Sequence, residues 1–78
     1  MQYVYILECS DQSSYTGCTG DLRKRFERHI AGNVSSTKAK LPVKILFYCA
    51  FEDKYKAFEF EKYLKSESGK AFMKRHLV

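Results

Sequence analysis

Seventy-eight residues leave room for one domain, and a domain of this size buries only about 60% of its unfolded surface, so its core must be thin. Hydrophobic residues make up 45% of the chain, too many for a disordered tail, and no apolar run approaches the roughly 18 residues of a membrane span. A net charge of +5 and a pI near 9.2 favour polyanionic partners, with nucleic acid the first class to test.

The N-terminus carries no basic segment followed by a cleavage site, so the expected location is the cytoplasm. Cys9, Cys18 and Cys49 are odd in number and contain no C-x-x-C, which argues against a disulfide framework or a zinc site; they are read as reduced packing residues.

In chain order, Tyr3 to Leu7 is aromatic and β-branched and reads as a strand. Asp11-Gln12-Ser13 is a turn signal, and Tyr15 to Cys18 reads as the returning strand of a hairpin. Thr19 or Asp21 can cap a helix whose apolar stripe is Leu22, Phe26 and Ile30, and Gly32-Asn33 ends it. Residues 33 to 41 are a polar, basic surface loop. Pro42 opens a third strand, Lys44 to Phe51, so apolar that burial on both faces is expected. Glu52-Asp53-Lys54 is a break before a second helix from Tyr55 to Glu67, and Ser66 or Ser68 starts a last helix with Phe72, Met73 and Leu77. The order ββαβαα is that of an α+β domain, with residues 1–78 as its single unit.

Two places break the pattern. On the second helix Glu61 falls on the face of Ala57, Phe60 and Leu64, whereas Glu59 points almost oppositely. An acid at the edge of a buried stripe is costly unless paired, so Glu61 is either a boundary carboxylate on Lys65 at i+4 or one that holds a cation or metal. On the first helix Arg25 and His29 stack at i, i+4 beside the apolar stripe, while Lys24, Glu27 and Arg28 point away. Arg25 is the arginine best placed to reach another element; a solvated arginine and a packed histidine are the plainer readings. Six tyrosines in so short a chain, three of them in the hairpin, add phenols that need partners if buried.

These residues resemble a known family. Tyr3-Val4-Tyr5 and Tyr15-Thr16-Gly17 are similar to the two halves of the GIY-YIG motif. The likeness continues through Asp21 to His29, Gly32, Thr37-Lys38, Pro42-Val43-Lys44 and the Glu61 helix, essentially the whole chain. It is closest to a branch of one-domain bacterial members. The family implies a small three-stranded antiparallel sheet flanked by helices, and an endonuclease that hydrolyses DNA phosphodiester bonds with one Mg²⁺ or Mn²⁺ ion. A structure-specific role in repair or recombination is part of that expectation.

The resemblance also implies roles. Tyr5 would be the general base, Tyr15 would position water or phosphate, and Arg25 would neutralise the scissile phosphate. His29 would orient a tyrosine hydroxyl or move a proton. Glu61 would hold the metal, and Gly17 would let the backbone pass close to the site. Arg23, Lys24, Arg28, Thr37, Lys38 and Lys40 would meet the nucleic acid, DNA first, with RNA left open. A monomer without membrane association is expected, with a protein partner for targeting allowed. The chain departs from the family in having Tyr3 where the name-giving motif has Gly, and in an arginine-poor segment, Ser35 to Leu41. The alternative is a non-catalytic nucleic-acid-binding module on the same fold, for which the charge alone suffices.

One geometric condition follows. A two-residue turn at Asp11-Gln12 would pair Tyr5 with Cys18 and put Tyr5 and Tyr15 on opposite sides of the sheet. A shared site requires an odd-length loop or a bulge.

Overall fold

The computed structural model describes residues 1–78. Strand β1 (Gln2–Glu8) and strand β2 (Ser14–Thr19) form the hairpin, followed by helix α1 (Leu22–Ile30) and a single 3₁₀ turn (Lys38–Lys40). Strand β3 (Lys44–Phe51), helix α2 (Lys54–Lys65) and helix α3 (Glu67–His76) complete the chain. The sheet is antiparallel with order β2-β1-β3, so the domain is α+β with three strands and three flanking helices.

The hairpin loop has three residues, Ser10 to Gln12, between the paired Cys9 and Ser13. The Gln12 amide donates to the Cys9 carbonyl and the Cys9 amide to the Ser13 carbonyl, both at 2.9 Å. Gln12 takes the left-handed conformation, φ 68°, as the third residue of such a loop must. The resulting register sets Tyr5 opposite Gly17 and Tyr15 opposite Leu7, so both tyrosines point to one side. The odd-length condition is met.

Each helix starts on a side-chain cap. Asp21 accepts from the Lys24 amide at 3.0 Å, Asp53 from the Tyr55 amide at 2.8 Å and Ser66 from the Gly69 amide at 3.1 Å. Because Ser66 caps α3, α2 stops at Lys65, two residues short of the expected Glu67. Gly32, at φ 78°, closes α1 as expected.

The core lies between the sheet and the α2–α3 pair. Val4, Ile6, Ala57, Leu64 and Met73 form its buried cluster, with Cys18, Phe47, Cys49 and Phe60 packed against it. A register shift between Ile6 and Leu7 lets Leu46 and Phe47 both reach this cluster. Gly69 is where α3 crosses the end of α2. A Cβ there would overlap the Tyr63 carbonyl and the Leu64 backbone.

Two burial expectations are corrected. β3 is an edge strand and only partly buried, with Tyr48 57% exposed. The doubly covered strand is β1, where Val4 to Leu7 are all buried, because strand order and not apolar content decides which strand has neighbours on both sides. On α1, Ile30 is 56% exposed and His29 is the buried residue, so the inward face is rotated toward Leu22, Arg25, Phe26 and His29. All three cysteines are free.

Candidate active site

Odd-numbered residues of β1 and β2 point away from the α2–α3 core, and there the sheet meets α1 through polar chemistry. The Tyr5 hydroxyl lies 2.8 Å from His29 Nε2, and His29 Nδ1 lies 2.8 Å from Thr37 Oγ1. Thr37 Oγ1 in turn donates to the Val34 carbonyl at 3.5 Å. The network assigns the tautomer. With its proton committed to Val34, the Thr37 oxygen accepts from Nδ1–H, which leaves Nε2 bare to accept from the Tyr5 hydroxyl. Tyr5, His29 and Thr37 are fully buried, and no buried side-chain nitrogen or oxygen in the chain lacks a partner.

Tyr15 completes an aromatic triangle. Its ring is 6.2 Å from Tyr5 and 5.1 Å from His29, edge-on to the imidazole, and it is only half-buried. Gly17, directly across from Tyr5, lies beneath the phenol. A Cβ at Gly17 would fall 2.5 Å from Tyr5 Cζ and Oη, so the glycine makes room for the ring.

Burial pushes the Tyr5 phenol above the ordinary tyrosine range, the neighbouring Tyr15 adds to this, and the Arg25 guanidinium opposes it; the Glu61 carboxylate raises it further. Burial also lowers His29, and the positive Arg25 and Arg28 push it the same way, so the imidazole is neutral near pH 7. Arg25 and Glu61 therefore both act on the Tyr5 hydroxyl through space. Arg25 makes no ion pair and no side-chain hydrogen bond within the chain, which leaves its fork of donors open to a phosphate.

Glu61 is partly exposed at the edge of the buried face, as its sequence position implies. Its Oε2 accepts from Lys65 Nζ at 3.1 Å, and Oε1 takes no hydrogen bond from the chain. No group of three or more His, Cys, Asp or Glu side chains converges anywhere, so a metal at Glu61 would take most of its ligands from water and substrate. That donor set fits a hard ion that keeps much of its hydration shell, such as Mg²⁺, and no softer one.

The residues expected to meet nucleic acid do not form one patch. Lys24 and Arg28 lie together on the outer side of α1 beside Glu27 and Asn33. Arg23 borders a separate depression with Tyr3, Phe26 and Tyr48. Lys38 and Lys40 are exposed, with Lys40 Nζ 4.0 Å from the Asp11 carboxylate. Thr37 is a correction: it is fully buried and bonded to His29, so it cannot touch a nucleic acid. Its true part, fixing the imidazole, has no local signal, since the partner lies eight residues away across a loop. Lys70 and Lys74, which border a cleft beside Tyr15, are also passed over by the sequence reading.

The three-stranded sheet, with two hairpin tyrosines, a helical arginine and histidine and one carboxylate gathered at its side, defines the nuclease class that the motif suggests. The GIY-YIG catalytic-domain model matches residues 1–76, and the chain belongs to that family, a nuclease superfamily. It is similar to a UPF0213 protein of Streptococcus agalactiae, 40% identical over 95% of this chain and 89% of that one. A UPF0213 protein of Clostridium perfringens is 44% identical over 83% of this chain and 71% of its own length. The solution structure of a UPF0213 protein from Bacillus halodurans matches 94% of this chain and 82% of that one, with 36% identity and a TM-score of 0.59. No helix is long and apolar enough to cross a membrane.

Proposed function

We propose that the protein is a metal-dependent endonuclease that hydrolyses phosphodiester bonds in DNA. The observation that carries this is the convergence of Tyr5, Tyr15 and His29, within 5.1–6.2 Å of one another by ring centres, in the field of an unpaired Arg25 and of Glu61.

The resting Tyr5 is a phenol, because burial disfavours the phenolate. Its hydroxyl already points at a neutral His29 Nε2, so the proton has a receiver. As Tyr5 takes a proton from the attacking water, it passes its own to His29; the imidazolium is then steadied by Thr37. Arg25 sets its guanidinium against the phosphate oxygens, where charge grows during attack. Tyr15 holds the water or a phosphate oxygen from the exposed side. Glu61 would hold one Mg²⁺ or Mn²⁺, which when bound supplies Lewis-acid stabilisation of the leaving oxygen.

The test is incubation of the purified protein with plasmid, branched and flap DNA in Mg²⁺ or Mn²⁺, beside Glu61→Ala. Metal-dependent cleavage by the wild type alone is the expected result. Equal cleavage by both proteins, or none on any substrate, overturns the proposal. The second reading, a non-catalytic nucleic-acid-binding module, is favoured by one observation, the Glu61–Lys65 pair, which satisfies half of the carboxylate without an ion. It requires salt-sensitive DNA binding that is indifferent to both metal and Glu61→Ala.

A further inference from the structure

Glu61 already has a cation beside it. Its Oε2 accepts from Lys65 Nζ at 3.1 Å, one helical turn on, with the acid N-terminal to the base as such pairs prefer. Of the three ion pairs in the chain, this one holds the least exposed carboxylate: the Glu61 side chain is 23% exposed, against 36% for Glu8 and 52% for Asp11. A carboxylate largely withdrawn from water needs a cation, and Lys65 supplies it.

A divalent ion would need the same carboxylate. Two cations on one carboxylate repel each other, so the ion and the Lys65 ammonium compete. Lys65 has another place to go. It is the last residue of α2, its side chain is 54% exposed, and its ammonium carries three donors on a flexible stem, of which one is spent on Glu61. It also borders the cleft beside Tyr15 with Lys70 and Lys74, and no acidic side chain lines that cleft. Three like charges around one cleft repel one another and attract a phosphate. Lys65 therefore stands between a carboxylate and a basic rim, and the charge on Glu61 decides which of them it serves.

We propose that Lys65 is the resident counter-ion of Glu61, that it yields the carboxylate when a divalent ion arrives, and that the freed ammonium then meets a phosphate of bound DNA in the cleft beside Tyr15. The proposal rests on the nuclease reading and deepens it. Lys65 weakens metal binding while DNA is absent, and by linkage each ligand then strengthens the other.

Two titrations test it, and neither measures cleavage. In the first, Mn²⁺ binding without DNA is followed by electron paramagnetic resonance of the free ion for wild type, Lys65→Met, Lys62→Met and Glu61→Gln, each checked for folding by a thermal melt. Lys62 is an exposed neighbour on α2 that makes no ion pair, so its variant loses the same charge without touching the contact. Lys65→Met is expected to bind Mn²⁺ about threefold to fivefold more tightly, the scale of a partly exposed ion pair. Lys62→Met should stay within about twofold of wild type, and Glu61→Gln should lose the binding. In the second titration, a blunt duplex is bound in EDTA across a salt series and followed by fluorescence anisotropy, with Glu61→Gln standing for the neutralised carboxylate. In the wild-type background Lys65→Met should change the affinity by less than about twofold, because the ammonium is held by Glu61. In the Glu61→Gln background it should weaken binding about threefold and lower the salt slope by about 0.9, one phosphate contact. Unchanged or weaker Mn²⁺ binding by Lys65→Met, equal effects of Lys65→Met in the two backgrounds, or no Mn²⁺ binding by any of the proteins overturns the proposal. Failure of the nuclease reading shows separately, as both couplings present with no DNA cleaved.

Discussion

Neighbouring residues of β1 enter two different interiors. Val4 and Ile6 point into a dry cluster with Ala57, Leu64 and Met73, where nothing is polar and close packing is the whole requirement. Tyr5, between them, points to the other side, into a relay of a phenol, an imidazole and a hydroxyl. The first interior can be repacked with any apolar groups of the right volume. The second has directional partners, and each member determines the protonation of the next. The strand thus separates stability from chemistry by alternation alone.

The sharpest test of that separation is the pair Tyr5→Phe and Ile6→Ala. Tyr5→Phe should reduce cleavage by about 10²-fold or more, the scale of a lost general base, and cost about 1–3 kcal/mol by orphaning His29 Nε2. Ile6→Ala should cost about 2–5 kcal/mol in denaturant melts, with the folded fraction cleaving normally. If both variants lose activity in proportion to their stability, the two interiors are not separate. Next, Gly69→Ala should destabilise by about 3 kcal/mol and lower the melting temperature by roughly 12 °C or more, because backbone stands where the methyl would go. A smaller change would mean that α3 can slide off α2 at little cost.

The relay itself is probed by Thr37→Val, which removes the acceptor for Nδ1–H and should cost about 1–3 kcal/mol at neutral pH. Acid acts on the same residue. Burial and the two arginines depress His29, so around and below its unfolded value of about 6.5 the unfolded chain binds more protons than the folded one. The stability His29 contributes is complete above about pH 6.5 and is lost as pH falls from there. Wild-type protein should therefore lose more melting temperature than His29→Gln between about pH 7.5 and pH 5; equal losses would place the sensitivity elsewhere. The smallest effect expected is a gain. Gln12→Gly relieves a left-handed residue and should add about 1 kcal/mol, or roughly 4–8 °C, without touching either interior.

Element order, the caps and the Glu61 face were legible because each depends on local spacing. The same holds for the shared side of Tyr5 and Tyr15 once the loop is known to be odd. What could not be read depended on distant partners. The apolar run of β3 gives no sign that its outer neighbour is solvent. The helical stripe favours Ile30 over His29 because hydropathy does not count hydrogen bonds, and His29 is buried only where Tyr5 and Thr37 both receive it. Thr37 sits in a polar loop and reads as a surface contact for the same reason, since its burial depends on the His29 ring.

The hairpin loop from Ser10 to Gln12 looks like the kind of exposed segment that tolerates added or missing residues. Here the pairing it sets carries parity. Were β2 to slip one step along, so that Tyr5 faced Cys18, Tyr15 would turn toward the dry cluster and Thr16 would come out in its place, with every side chain in the sheet still present. An insertion meant to leave this protein working, a tag or a grafted epitope, would have to keep Cys9 paired with Ser13, whatever its length.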